Sequence, residues 1–245
     1  MQQPPDFLYV FSTLADVAIL SALLIGIRLA VQRDTPTQMK TWYALVLVFL
    51  IWFGVAITLS LKGFFTPSSA LSPAVPLAIL VPVISGLWFS FRSQAMTRLI
   101  EATPLSWLIG IQFYRVIGGI FLLLLALGGL PQEFAVPAGF GDVAVGLLAL
   151  PVAWATRSGS RLAMVAARVW NYLGILDLVI AVGTGFLTSP GQFQILAIDH
   201  PNVLITKYPL VMIPVYFVPL SLILHGLALW KLNRMERGLN KAIVT

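Results

Sequence analysis

Cysteine is absent from the chain, and histidine occurs only twice, at His200 and His225. Without cysteine, disulfide bonds, thiolate metal sites and cysteine nucleophiles are all excluded. The two histidines fall near opposite faces of the predicted helix bundle, so we expect no haem or zinc pair. The sequence contains neither a GK[ST] phosphate loop nor a G-x-S-x-G motif, so nothing indicates nucleotide hydrolysis or hydrolase chemistry. We therefore expect no metal and no cofactor, and an enzymatic function is disfavoured.

Charge is scarce as well. Charged residues make up 10% of the chain and hydrophobic residues 59%, with a mean hydropathy of +0.94. A soluble domain carries about 25% charged residues, so this composition predicts an integral membrane protein. The net charge of +6 would suggest nucleic acid binding in a soluble protein. Here most basic residues flank apolar runs, so we expect a lipid bilayer as the partner and no nucleic acid.

Seven apolar runs are present, each long enough to cross a hydrocarbon core of about 30 Å as a helix. They occupy residues 7–31, 42–62, 73–91, 104–128, 134–156, 162–187 and 208–232. The connections leave no room for a separate soluble domain. We therefore predict an all-α polytopic protein in which residues 1–245 form a single seven-helix transmembrane domain.

The orientation of the bundle follows from its basic residues, because lysine and arginine are enriched in cytoplasmic connections. In a seven-span arrangement, one side carries Arg33, Lys40, Arg92, Arg98, Arg157, Arg161, Lys231, Arg234, Arg237 and Lys241. Only Lys62 and Lys207 flank the other side. We predict an outer amino terminus and a cytoplasmic carboxyl terminus, in the plasma (inner) membrane.

The longest outer connection covers residues 188–207 and contains the apolar run FQILAI. A connection of this length in a compact protein is often a lid over a site. A hairpin lying in the membrane interface explains the same sequence equally well. Both interpretations stay open at this stage.

Two stretches repeat along the chain. Asp16-Val-Ala-Ile in the first span matches Asp142-Val-Ala-Val in the fifth, and the prolines Pro76 and Pro82 of the third span match Pro209 and Pro214 of the seventh. We predict a parallel 3+1+3 repeat, with halves at about 7–91 and 134–232 and a linker helix at about 104–128. This layout resembles that of the SWEET sugar facilitators and, more loosely, the opsins and heptahelical receptors. The resemblance lies in span count, orientation and repeat layout, and no diagnostic motif of either family accompanies it.

Polar residues within the spans fall on stripes of small residues, which is where membrane helices pack against one another. The stripes are Gln112, Arg115, Gly119 and Ala126 in the fourth span; Gly139, Asp142, Gly146, Ala149 and Ala153 in the fifth; and Asn171, Gly174, Asp177, Ala181 and Gly185 in the sixth. A charged group in a membrane helix costs at least about 2.5–3.5 kcal/mol, so its presence points to function. We predict a cavity in the outer half of the bundle, lined by Asp16, Gln112, Arg115, Asp142, Asn171 and Asp177.

Arg115 is the basic residue best placed to neutralise these acids. A buried arginine–aspartate pair can also serve only to hold helices together. Three acids against one deep arginine go beyond what such a pair needs. In the seventh span, His225 is a possible proton relay, although a lone histidine there is more often a packing residue. Pro209, Pro214 and Pro219 are expected to interrupt the hydrogen bonds of its outer half.

These features predict a protein that binds, and transports, a small polar solute or ion, with possible coupling to protons. The alternative is a ligand-binding sensor or a scaffold for another membrane protein, with no transport activity. A membrane-embedded enzyme ranks third. The identity of the solute and the oligomeric state are not encoded in these patterns.

Overall fold

The computed structural model describes residues 3–31, 36–66 and 74–244, with side chains for 3–29, 39–66 and 74–237. Arg33, the side chain of Lys241 and residues 67–73, which include the start of the third predicted span, lie outside these described parts. All regular structure in the described parts is helical. The α-helices are α1 (Asp6–Val31), α2 (Pro36–Leu61), α3 (Ala74–Arg92), α4 (Gln94–Ala102), α5 (Leu105–Gly110), α6 (Ile120–Ala126), α7 (Gln132–Ala155), α8 (Arg161–Thr188) and α9 (Val218–Val244).

The fourth span is built from α5, α6 and a piece between them, in continuous helix. A 3-10 segment, Ile111–Gly119, joins α5 to α6. A π-helical turn, Ile213–Phe217, leads into α9. The connection between α8 and this turn contains residues 189–207, which we call the long loop.

Seven helical segments of the described chain are long and apolar enough to cross a membrane, as the sequence predicted. They are Asp6–Leu29, Met39–Leu61, Ala74–Arg92, Leu105–Ala126, Gln132–Ser158, Arg161–Thr188 and Ile213–Arg237. Large apolar side chains such as Leu14, Leu47, Val81, Leu147 and Val179 point outward from five of them. An apolar surface of this kind is typical of contact with lipid, so the fold suggests a membrane location.

The α7 helix packs extensively against the fourth span and against α8. The α9 helix completes the core through contacts with α3, α5 and α8. The small-residue stripe predicted on α7 is buried, from Gly139 through Ala153. Because glycine and alanine allow backbones to approach closely, the polar residues of α7 and α8 come within reach of the fourth span.

The short helix α4 was not predicted. It lies between the third and fourth spans and buries Met96, Leu99 and Ile100. Ser93 caps its first turn by accepting a hydrogen bond from the Met96 amide. Nine residues are too few to cross a membrane, so a search for long apolar runs treats this segment as a connection.

The seventh span begins later than predicted. Residues 208–211 form a turn, and helix begins at Met212. Pro209 therefore precedes the helix rather than interrupting it. Pro214 lies in the π-helical turn, where a missing amide donor is tolerated because the hydrogen-bond ladder is already irregular.

Candidate functional site

Arg115 lies in the 3-10 segment of the fourth span. A 3-10 helix has about three residues per turn, so side chains three positions apart share a face. Gln112, Arg115 and Gly118 are accordingly the buried residues of the segment. The predicted stripe assumed α-helical spacing and ran on to Ala126. That part of the prediction is wrong, since Ala126 is exposed.

The guanidinium of Arg115 is buried, and each of its nitrogens has an acceptor. Nε donates to Oδ1 of Asp142 at 2.8 Å, and Nη2 lies at 2.8 Å from the same oxygen. Nη2 also donates to Oδ2 of Asp177. Nη1 faces the carbonyl oxygen of Gly174 and Nε2 of His225, both at 3.3 Å. An arginine offers five N–H donors, and four of those of Arg115 make hydrogen bonds in this network.

Four spans meet at this cluster. Arg115 comes from the fourth span, Asp142 from α7, Asp177 from α8 and His225 from α9. The arginine–aspartate pairing expected from the sequence is present. We call these four side chains the charged cluster.

Three glycines give the charged cluster its space, because a Cβ at each would overlap one of its side chains. The pairs are Gly118 with Asp142, Gly141 with Asp177, and Gly174 with the ring of His225. Gly174 lies on the stripe that the sequence predicted, whereas Gly118 and Gly141 were missed. Their signal in the sequence is weak, since glycine is common throughout membrane helices.

The hydrogen bonds of His225 assign its tautomer. Nδ1 lies 2.8 Å from Oδ1 of Asn171, an acceptor, so Nδ1 carries the proton. Nε2 then presents a lone pair to the N–H of Arg115. The ring is therefore neutral, which suits its position beside a guanidinium cation. Nε2 of Gln112 lies 3.2 Å from Nδ1 of the ring but, being a donor itself, makes no hydrogen bond to it in this tautomer.

The sequence placed His225 about two turns from the cytoplasmic end of the seventh span, and this is wrong. The span covers Ile213–Arg237 rather than residues 208–232, which moves His225 to its middle. The shift of about five residues amounts to more than one helical turn. It brings the ring to the level of Arg115.

Charge is not balanced within the charged cluster. Arg115 supplies one positive charge, His225 is neutral, and Asp142 and Asp177 are both ion-paired to the same guanidinium. With both carboxylates ionised, the cluster has a net charge of −1. In a low-dielectric interior such a charge is unfavourable unless a proton or another cation compensates it.

A cavity of about 450 Å³ lies between α3, α6, α7, α8 and α9, and we call it the loop-end cavity. Its walls include the rings of Phe65, Phe121, Phe134 and Phe186, and residues 189–194 of the long loop line its mouth. Asp142 is the one ionisable side chain among the described residues that line it. The cavity is thus an apolar chamber with a carboxylate inside.

A second space of about 50 Å³, the Asp16 cavity, is also lined by Asp142. Its lining includes Asp16, Arg115, Tyr114 and Ser221. The hydroxyl of Tyr114 lies 2.6 Å from that of Ser221. Asp16 is only 5% exposed. Asp142 lines both cavities, so the two spaces are adjacent.

The six predicted cavity residues take three different positions. Asp16, Arg115 and Asp142 line a cavity, and Asp177 is paired to Arg115 beside it. Gln112 and Asn171 are fully buried around His225 and line neither of the two cavities. Tyr114, which the sequence analysis did not single out, shares the Asp16 cavity. A 3-10 turn brings its hydroxyl to α9, and nothing in an α-helical pattern predicts that contact.

Metal ligands do not cluster in the part of the chain that the structure describes. No three side chains of His, Cys, Asp or Glu come together there in a way that could hold an ion. The charged cluster is therefore best understood through its arginine and its two carboxylates.

The sequence model of a family described as a domain of unknown function (DUF8737) matches residues 72–233, about two thirds of the chain. The chain belongs to the DUF8737 family. No curated protein and no solved structure matches it.

The DUF8737 match includes every member of the charged cluster. It begins just before α3 and ends within α9. Asp16, on α1, lies outside the matched range. The DUF8737 region therefore contains the arginine, both of its carboxylates and the histidine, whereas one acid of the Asp16 cavity comes from the preceding helices.

Proposed function

We propose that the protein binds a small polar or ionic solute at the charged cluster and carries it across the membrane. The observation that carries this proposal is the sharing of Arg115 by Asp142 and Asp177 at a point where two cavities meet. A structural ion pair needs one acid. A second acid adds insertion cost without adding a partner, which supports a role in binding.

Asp142 is the residue best placed to contact the solute. Its hydrogen bonds to described residues are all made through Oδ1, to Arg115. Oδ2 packs against Gly118 and has no hydrogen-bond partner among the described residues, and we propose that it binds the solute. The neighbouring carboxylate of Asp177 holds the guanidinium from the other side and keeps it in place while Asp142 exchanges partners.

Coupling to protons follows from the charge of the cluster. A proton on either carboxylate, or a cation bound beside one, brings the net charge from −1 to zero. Two cations that neutralise the same charge compete for it. Such competition supports exchange, in which a proton leaves as the solute binds. The movement between the two sides would be a rocking of the two predicted triple-helix halves.

A sensor or scaffold without transport is the second candidate. The observation that favours it is the complete burial of Asn171 and His225, which are hydrogen-bonded to one another and to Arg115. A buried polar network of this kind can serve solely to specify helix packing. The two candidates differ in what happens to the solute after it binds.

Reconstituted vesicles containing a pH-sensitive dye distinguish them. We expect the addition of the right solute from a broad panel to drive proton flux through the wild type and not through Asp142→Asn. Glu133→Gln is the matched control, because Glu133 is an exposed acid in the first turn of the same helix. Equal flux through the wild type and Asp142→Asn would exclude coupling at Asp142. Absence of flux for every solute, together with one stoichiometric partner cross-linked in native membranes, would favour the scaffold.

We also place the protein in the plasma (inner) membrane with the long loop outside. The exposed basic residues Arg98, Arg157, Arg161 and Arg237 support this orientation, since they lie at the end of the bundle opposite to the long loop. Enrichment of arginine and lysine is typical of cytoplasmic ends.

A further inference from the structure

We propose that the loop-end cavity binds an organic cation with an apolar body, and that Asp142 is its counter-ion. The inference rests on the proposed function in one respect: it assumes that this cavity is where the solute binds. It goes further in naming the class of solute. The sequence alone predicted only a small polar solute or ion.

The size of the cavity is the first argument. At about 450 Å³ it lies within the range of about 300–1,000 Å³ that is typical of pockets for small organic molecules. An inorganic ion, or a pathway for protons alone, needs far less space. The Asp16 cavity, at about 50 Å³, is the one with the dimensions of a water or ion site.

The walls are the second argument. Five phenylalanine rings line the cavity, together with aliphatic side chains such as Ile79 and Val182. The ring of Phe121 packs edge-on against Phe134, with ring centroids 5.0 Å apart. Such walls cannot replace the hydrogen bonds that a sugar or another strongly hydrated solute would lose. They favour a ligand whose body is apolar, and aromatic rings also attract organic cations.

The charge of the lining is the third argument. Asp142 is the one ionisable residue among the described lining residues, and the cluster behind it carries a net charge of −1 when both acids are ionised. An anionic ligand would meet a carboxylate in an apolar chamber, and the lining offers it no basic side chain. A cationic ligand would neutralise the cluster. The cavity is thus complementary to one positive charge surrounded by hydrocarbon.

Two ions of nearly the same shape and opposite charge test this directly. The probes are tetraphenylphosphonium and tetraphenylborate, measured by equilibrium dialysis against the purified protein in lipid nanodiscs, with empty nanodiscs correcting for partition. We expect saturable binding of the phosphonium to the wild type and none of the borate. Asp142→Asn should bind the phosphonium about tenfold more weakly or worse, while Glu133→Gln should match the wild type.

A second variant blocks the cavity without touching the charged cluster. Gly183 lines the loop-end cavity, and a Cβ at this position meets no atom within 4 Å. Gly183→Leu should therefore fold and lose phosphonium binding. Gly54→Leu is the matched control, because Gly54 also has open space around its Cβ but lies on α2, away from both cavities.

Each outcome separates the inference from the proposed function. Equal saturable binding of both probes, or binding of neither, overturns the cation assignment, and solute-driven proton flux can still establish transport. Phosphonium binding that survives Gly183→Leu overturns the placement in this cavity. Suppose that phosphonium binding is lost in Asp142→Asn and in Gly183→Leu, and that the wild type moves no solute in vesicles. This result supports the inference and excludes transport.

Discussion

Gly141 shows how a residue without a side chain positions a charged one. The carboxylate of Asp177 lies directly against the backbone of α7 at this glycine, and any Cβ there would occupy the position of Asp177 Oδ1. From that position Asp177 reaches Arg115 across the interface between α7 and α8. The contact of a carboxylate with a bare helix backbone is thus part of the charged cluster.

Replacement of Gly141 by alanine should lower the free energy of unfolding by about 1–3 kcal/mol, because overpacking forces a neighbour to move. The group that must move is the carboxylate that binds Arg115. Thermal unfolding of the purified protein measures the loss. Gly183→Ala is the control, since a Cβ at Gly183 meets nothing within 4 Å. Equal stabilities for the two variants would show that α7 and α8 separate easily.

At the scale of single residues, the sequence predicted that Arg115 pairs with the aspartates but not how the charged cluster is arranged. Arg115, Asp142 and Asp177 could be grouped because charges inside apolar spans need partners, and only one arginine was deep enough. His225 could not be placed, because its depth depends on where the seventh span begins. Gly118 and Gly141 could not be identified either, since their role depends on contacts between helices that periodicity does not specify.

Among the helices, α4 and the 3-10 segment are two that periodicity did not predict. Both are shaped by contacts with other helices. Lys231 of α9 donates to the carbonyl oxygens of Ile100 and Glu101 at 2.9 and 2.7 Å. These are among the last carbonyls of α4, which have no partner within their own helix. A side chain about 130 positions later in the chain thus stabilises the end of α4, which no local sequence pattern reveals.

Lys231→Met should destabilise the protein by about 1–3 kcal/mol, because it leaves these carbonyl oxygens without their donor while keeping the apolar stem. Amide hydrogen exchange in α4 should rise at the same time. The control is Arg234→Met, which removes an exposed ion pair with Glu101. Exposed pairs contribute about 0–1 kcal/mol. A larger loss from Arg234→Met than from Lys231→Met would contradict the capping role.

The long apolar runs, in contrast, were predictable because membrane thickness sets their length. The 3-10 geometry of Ile111–Gly119 was not predictable from the sequence. Gln112 and Arg115 share a face in an α-helix as well as in a 3-10 helix, and the two patterns differ only beyond Arg115. We attribute the 3-10 geometry to close packing against α7, because a Cβ at Gly146 would come within 2.7 Å of the backbone nitrogen of Val116. Helix–helix contact of this kind follows from the assembled bundle.

For the whole molecule, the described part of the chain has seven helices long and apolar enough to span a membrane, and the chain belongs to the DUF8737 family. Its orientation is a proposal that can be measured. The lack of cysteine makes single-cysteine labelling clean. Asp199→Cys in the long loop should react with a membrane-impermeant maleimide on intact cells. Arg98→Cys on α4 should react only after permeabilisation. Both side chains are exposed, so the reverse pattern would mean the opposite orientation.

The 3+1+3 repeat stays a prediction. The DUF8737 match begins at residue 72, so it contains one span of the first predicted half and essentially all of the second. Asp16 and Asp142, the predicted repeat-mates, line the same small cavity. Sequence similarity between apolar helices is a weak guide to such symmetry, because few residue types suit lipid.

The position of Asp142 along α7 has an electrical consequence. It lies ten residues after the start of the helix at Gln132, or about 15 Å at the helical rise, which is half of a hydrocarbon core of about 30 Å. A cation that descends the loop-end cavity to this carboxylate crosses about half of the membrane field. A potential of about 100 mV then changes its binding free energy by about 1.2 kcal/mol. With the long loop outside, an inside-negative potential strengthens binding and makes the site sensitive to the energised state of the membrane.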